Sequence, residues 1–202
     1  GINNAIFGNA IRNNGHLGID LGGGVEDGFS VTANDGNDSD TGLNNLQNYP
    51  SLTGAASDGT TVTVNGGLIS TPSTIFRIEF FAGTVPDASG HGEGDRYLGF
   101  TNVTTSVTGG GFFNVPLSAS VSTSEFVTAT ATDPAGNTSE FSGNIAVTST
   151  AAQHLTVVTT TNDVVDGVTT SLEALNLNRG ADGRISLREA MLAANNTAND
   201  GA

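Results

Sequence analysis

The sequence predicts an all-β chain: an antiparallel β-sandwich with a strand and one short helix appended at the C-terminal end. Three observations carry that expectation. The first is the tract from Phe126 to Phe141, where Val127, Ala129 and Ala131 alternate with Thr128, Thr130 and Thr132 before Asp133-Pro134-Ala135-Gly136-Asn137. Period-two alternation places small apolar residues on one face of a strand and hydroxyls on the other. Pro fixes φ while Gly and Asn tolerate positive φ, so the tract reads as two strands and the turn between them. The second is a set of seven short β-patterned runs, at 61–65, 74–82, 96–100, 102–107, 112–117, 125–132 and 140–147, separated by turn residues. The third is composition: 28 Gly, no Cys and no Trp in 202 residues. Without Cys there is no disulfide, thiol nucleophile or thiolate metal site.

Charge narrows the partners. Twenty acidic residues face six basic ones, all Arg, for a net charge of −14. Such a surface repels nucleic acid and anionic membranes and suits a chain that must stay soluble in salt or that collects divalent cations. No apolar run approaches the ~20 residues of a membrane span. The opening Gly1-Ile2-Asn3 reads as internal, so the chain is expected to be a piece of a longer protein. Three regions are expected: residues 1–57, the 58–148 sandwich, and 149–202.

In residues 1–24, Ile2, Ile6, Ile11 and Ile19 are separated by Asn and Gly, residues that tolerate tight corners. The string resembles the last rungs of a right-handed parallel β-helix, whose rungs need stacked neighbours to bury a core; a loose Asn-rich hairpin is the alternative. Residues 25–52 read as an acidic link pinned by Leu43, Leu46, Tyr49 and Leu52. Within it Asp35, Asp38 and Asp40 lie on a Gly-containing loop, and short carboxylates converging on such a loop are ligands for Ca²⁺, a hard cation that takes oxygen donors. A solvated acidic loop explains the same residues.

In the sandwich, Phe76, Ile78 and Phe80 share the expected core face, Arg77 and Glu79 point away, and Phe81 breaks the alternation, as a bulge or an apolar patch would. The loop 85–97 carries Asp87, His91, Glu93, Asp95 and Arg96. No second histidine stands at metal-ligand spacing, so a polar hairpin loop is preferred to a Zn²⁺ or catalytic cluster. The tract 126–141 resembles the last hairpin of bacterial Ig-like modules, which implies an Ig-like topology for residues 58–148; that span is expected to fold alone. Asp133, in its turn, is a further candidate cation ligand.

Towards the C-terminus, residues 149–154 read as a linker and 154–161 as a β-branched strand. The string Ile185-Ser-Leu-Arg-Glu-Ala-Met191 resembles the core of the CSLREA segment, which precedes β-helices in large exported bacterial proteins; Ile185 stands where Cys is usual. Residues 178–189 also match part of an EF-hand loop, with Asn178, Asp182 and Glu189 as ligands and Gly180 where a carboxylate is usual. The competing explanation is a capping box, Ser186 accepting from the amide of Glu189 while Glu189 reaches back to that of Ser186. The cap is preferred, since one carboxylate cannot serve both.

The resemblances imply a structural or adhesin-like module of a secreted or cell-surface bacterial protein, stiffened by Ca²⁺, with neighbouring modules and surface glycans or a host surface as partners. The alternatives are a non-catalytic part of a β-helix polysaccharide-active enzyme, or a glycan-binding module using Tyr49 and Tyr97. Enzymatic activity is not expected, because the β-helix-like residues hold Asp20 as their one acid and Arg12 as a base-type side chain, too little for a catalytic constellation.

Overall fold

A computed structural model describes residues 1–150 and 157–197. They fall into two compact units, Gly1–Ala151 and Ala152–Ala202.

The first unit is mostly β. Its strands are β1 (Ser51–Ser57), β2 (Val62–Ile69), β3 (Ile75–Gly83), β4 (Arg96–Thr104), β5 (Gly110–Leu117), β6 (Phe126–Thr132) and β7 (Ile145–Ser149). They join in the order β4-β3-β6-β7-β1-β2-β5. The sheet is mixed rather than antiparallel throughout: β1 and β7 run parallel, pairing Ala55 with Val147 and Ser57 with Ser149. The β6–β7 link is short, only Phe126 with Ala146 and Val127 with Ile145. The two ends of the order approach each other, with Gly111 of β5 close against Val103 and Thr104 of β4, so the sheet nearly closes into a barrel.

Period-two alternation fills the interior. Val62, Val64 and Leu68 of β2, Phe76, Ile78, Phe80 and Ala82 of β3, and Val127, Ala129 and Ala131 of β6 form one core with Val103, Leu117 and Val147. Complete burial of a side chain such as Phe76, Ile78 or Phe80 contributes about 1.5–3 kcal/mol. The register of β3 against β4 slips between Phe80 and Phe81, the expected bulge, and turns Phe81 into a second apolar cluster.

Three strand boundaries differ from expectation. The runs at 96–100 and 102–107 are one strand, β4, because Thr101 continues the ladder opposite Ile78. Strand β1 was missed: Ser-Leu-Thr-Gly-Ala-Ala-Ser lacks a β-branched or aromatic alternation, and pairing on both sides makes it a strand. Strand β7 begins at Ile145 rather than 140. Between them, Ser139 Oγ and Ser142 Oγ accept the amides of Ala131 and Ala129, each at 2.9 Å. Hydroxyls thus take the place of ladder carbonyls and hold residues 139–142 beside β6 without forming a strand. The hydroxyl face of β6 is therefore buried too: Thr128, Thr130 and Thr132 are all inaccessible.

In the second unit, the single expected helix is α2 (Leu187–Asn196), joined by a second, α1 (Leu172–Leu177), capped by Ser171 accepting from the amide of Ala174. Leu175, Ile185 and Ala193 form its small core. The linker expected at 149–154 and the strand expected at 154–161 lie partly outside the described residues; residues 157–161 form no strand. No described helix is long and apolar enough to cross a membrane.

A fragment of residues 58–148 lacks β1, which sits between β2 and β7. Contrary to the expectation from alternation alone, that fragment should show no cooperative thermal transition by circular dichroism, whereas residues 1–150 should; a cooperative melt of 58–148 would show that β1 is dispensable.

Candidate functional site

Residues 1–24 contain no strand, so most of their backbone amides lack a ladder partner. A buried amide without an acceptor costs about as much as a lost hydrogen bond. Side chains of the β-unit supply the acceptors. Asn137 Oδ1 accepts from Asn3 N at 2.7 Å, and Thr138 Oγ1 from Ile6 N at 2.9 Å. Glu79 Oε2 accepts from Gly8 N at 2.7 Å. Glu93 Oε1 accepts from Asn14 N at 3.1 Å and from Asn14 Nδ2 at 2.5 Å. Glu140 Oε1 accepts from Leu21 N at 2.9 Å and its Oε2 from Thr32 N at 2.9 Å. All three glutamates are buried. Between these anchors Ile6, Ile11, Ile19 and Leu21 pack on Leu46, Phe81 and Phe141. Gly94 lies where a Cβ would meet both the Phe81 and Phe141 rings at 2.9 Å, so only glycine lets the segment approach there.

The second oxygen of Glu79 pairs with Arg77 Nη2 at 2.7 Å. The Arg77 guanidinium stacks 3.5 Å from the Phe100 ring centroid and 5.2 Å from that of Phe7. Glu79 thus points away from the core as expected, yet it is buried, because residues 1–24 cover that face. Burial raises the pKa of Glu140, opposed by the bonds from Leu21 and Thr32. The sequence reading missed all three glutamates as docking groups. Their signal was a complement rather than a motif: a segment rich in Asn and Gly with no strand pattern, and acidic residues set among the apolar ones that pack beneath it.

The acidic triad does come together. One carboxylate oxygen from each of Asp35, Asp38 and Asp40 lies within 4.8 Å of the others, the only such group among the described residues. Ser39 N and Oγ donate to Asp35, and Asn48 N and Ser70 Oγ donate to Asp38 at 3.0 and 2.6 Å. Asp40 Oδ1 is buried without a hydrogen-bond partner. Burial pushes the Asp38 carboxyl up to about 6, with Asp35 and Asp40 adding to the shift and the bonds from Ser70 and Asn48 opposing it. Burial and Asp35 raise Asp40 as well.

The other candidates are not gathered. Asp133 accepts from Asn137 N and Nδ2, closing its own turn. Asn178 caps α1, and its Oδ1 accepts from Gly180 N at 3.3 Å; Asp182 Oδ1 accepts from Arg184 N at 2.8 Å. Glu189 forms the capping box with Ser186, and its Oε1 also accepts from Asp166 N and Gly167 N at 2.9 and 2.7 Å. Asp166 in turn accepts the amides of Ala181 and Asp182, and Gly180, at φ 82°, leaves room for that carboxylate. Backbone amides, bonded to Asp166 and Glu189, organise this loop. In the 85–97 loop, His91 Nδ1 bonds Phe141 O at 2.9 Å, Asp87 Oδ1 accepts from Ser89 N, and Arg96 pairs with Glu125. Tyr49 lies edge-on to His91 and Tyr97 edge-on to Phe81.

No known family model matches the chain, and no curated protein resembles it at a significant level.

The amide bonds, that from Ser186 first, hold the Glu189 carboxyl down to about 2. A depressed carboxyl stabilises the folded state above its unfolded value and loses that contribution as pH falls towards its folded one. Helix α2 should therefore lose stability between about pH 4.5 and pH 2. At neutral pH Glu189→Gln should raise amide exchange at Asp166, Gly167 and Ser186 at least tenfold; unchanged exchange there would remove Glu189 from the role of organiser.

Proposed function

We propose that this chain is a non-catalytic structural segment of an exported bacterial modular protein. On this reading the first unit is an Ig-like sandwich joined to the terminal turns of a parallel β-helix, and the second is a CSLREA-like segment. The observation that carries the reading is the docking of residues 1–32 onto the β-unit through Glu79, Glu93 and Glu140. It makes a rigid joint between an irregular segment and a sandwich, using interior charge that a free-standing sandwich would have no reason to bury.

Other features support the parts. With β1, β2 and β5 as strands A, B and E, and β4, β3, β6 and β7 as C′, C, F and G, the strand order agrees with Ig-like sandwiches. In the first residues, Asn3, Gly8 and Asn13 all have positive φ, 65°, 61° and 59°. Corners five residues apart, with Ile6 and Ile11 turned to one cluster, suit short rungs. Ile185 is buried, as expected of a position where the CSLREA resemblance places Cys.

The acidic triad fits a Ca²⁺ ion in its donor set. Carboxylate oxygens within 4.8 Å of one another suit a cation that holds oxygens at roughly 2.3–2.6 Å, and Asp40 Oδ1 lacks any other partner. Asp35, Asp38 and Asp40 would hold the ion, which would neutralise their repulsion and tie the link to Asn48 and Ser70.

Two measurements test the reading. Glu140→Gln, which cannot accept all its present bonds, should raise amide exchange at Leu21 and Thr32 at least tenfold while leaving β2 and β5 unchanged; equal protection in both proteins would dissolve the joint. For the cation, the sign of the pH dependence is fixed by Asp38. Its carboxyl titrates higher in the folded state, so the metal-free protein loses stability as pH rises from about 3.8 to about 6, and a cation must compete with that proton below pH 6. With a Kd near 1 mM, 10 mM Ca²⁺ contributes on the order of 1.4 kcal/mol at pH 7.5, a few degrees in melting temperature. The shift should shrink at pH 5 and vanish in the Asp38→Asn, Asp40→Asn double variant. Identical melts with chelator and with Ca²⁺ at pH 7.5 and matched ionic strength would exclude the ion.

A further inference from the structure

Every anchor of residues 1–21 reaches across to a distant part of the first unit. Asn3 goes to Asn137, Asn4 to Asn44, Ile6 to Thr138, Gly8 to Glu79, Asn14 to Glu93 and Leu21 to Glu140, while Ile11 N bonds Gly94 O at 2.9 Å. The residues that follow are built differently. Gly22, Gly23 and Gly24 begin an excursion through Gly28 to Ser30, whose residues Val25 to Phe29 are exposed while Gly22, Gly24 and Ser30 are half-buried, Gly24 lying close to Leu46. The hydrogen bonds described for residues 22–30 stay within residues 20–33: Gly22 N to Asp20, Gly23 N to Glu26, Phe29 N to Asp27, and Asp27 N to Val31 O. Thr32 then returns to Glu140, the group that holds Leu21.

A segment docked largely through side chains, joined by a glycine-rich tether whose hydrogen bonds are local, has the two parts needed for exchange between copies. The docked state makes the same contacts whichever copy supplies the segment, and the tether changes direction at little conformational cost. Nine residues extended at about 3.3 Å each span roughly 30 Å, enough to reach a neighbouring molecule.

We propose that the face formed by Glu79, Glu93, Phe81, Phe141 and Glu140 is a receptor for residues 1–21 of a second copy of this chain, so that copies associate by exchanging this segment across the 22–30 tether. The proposal builds on the structural reading above and names the partner: a second copy. What the partner contributes is specific. Its Gly8, Asn14 and Leu21 amides meet the three buried carboxylates, and its Ile6, Ile11 and Ile19 complete the cluster around Phe81 and Phe141.

The test uses the 202-residue chain. Tagged and untagged wild-type copies are unfolded, mixed and refolded at high concentration, then sized by light scattering. The expected product includes a mixed species of twice the 20.3 kDa chain mass. Excess synthetic peptide of residues 1–21, added during refolding, should suppress it at least fivefold. In a second arm, one chain carries Ile6→Asp with Ile19→Asp and the other Phe141→Asp; together they should form a heterodimer with one intact joint, which neither forms alone. If Phe141→Asp does not fold, the wild-type arm with peptide competition decides the question. Monomers alone after wild-type refolding, or a dimer that the peptide leaves untouched, overturns the proposal. Exchange protection at Leu21 and Thr32 in the monomer separates the two claims, because a docked but strictly monomeric protein loses the exchange and keeps the joint.

Discussion

Backbone amides outside regular structure must find acceptors wherever they are buried, and most of this molecule is organised around how that demand is met. In the first unit, Glu79, Glu93 and Glu140 receive the amides of Gly8, Asn14, Leu21 and Thr32. In the second, Glu189 and Asp166 do the same for residues 166–167 and 181–182. A carboxylate with two oxygens and several lone-pair directions can gather two or three amides at once, and charge-assisted bonds are about twice as strong as neutral ones. The bonds each carboxylate collects oppose the cost of desolvating it. Glu140 and Glu189 show how that balance varies. Desolvation leads at Glu140 and raises its pKa, while amide bonds lead at Glu189 and lower it.

The same logic explains how the β-unit covers both faces of β6. One face carries Val127, Ala129 and Ala131 into the core; the other carries three threonines beneath residues 137–144. Thr128 Oγ1 donates to Ser142 O at 2.8 Å, and Thr132 and Thr138 bond through their hydroxyls at 2.9 Å. The alternation that reads in sequence as a strand with one apolar and one hydroxyl face is here a strand buried on both sides, with hydroxyls as the filling of the second layer.

What was legible in the sequence follows from the range of the interactions that decide it. Local rules sufficed for the alternation of β3 and β6, the turn at Asp133, the Phe81 bulge and the Ser186–Glu189 box, since each is settled within a few residues. Asp35, Asp38 and Asp40 were visible because they share one loop. Strand β1 was not visible, because Gly54, Ala55 and Ala56 become a strand only through partners at 62–67 and 147–149. Nor was the role of Glu140, whose amide partners lie 108 and 119 residues away. Period and propensity carry no information at that separation; only the complement between an amide-rich segment and interior acids does.

The parallel pairing of β1 with β7 fixes a direction of travel. Two neighbouring strands running the same way place the start of one and the finish of the other at opposite ends of the sheet. A chain that enters along β1 and departs along β7 is therefore carried forward by the length of a strand, roughly 20 Å at about 3.3 Å per residue. A hairpin-closed sandwich, with antiparallel first and last strands, would instead hand the chain back beside its point of entry. In this mixed sheet the forward step is set by backbone pairing alone, whatever the surface of the unit comes to bind.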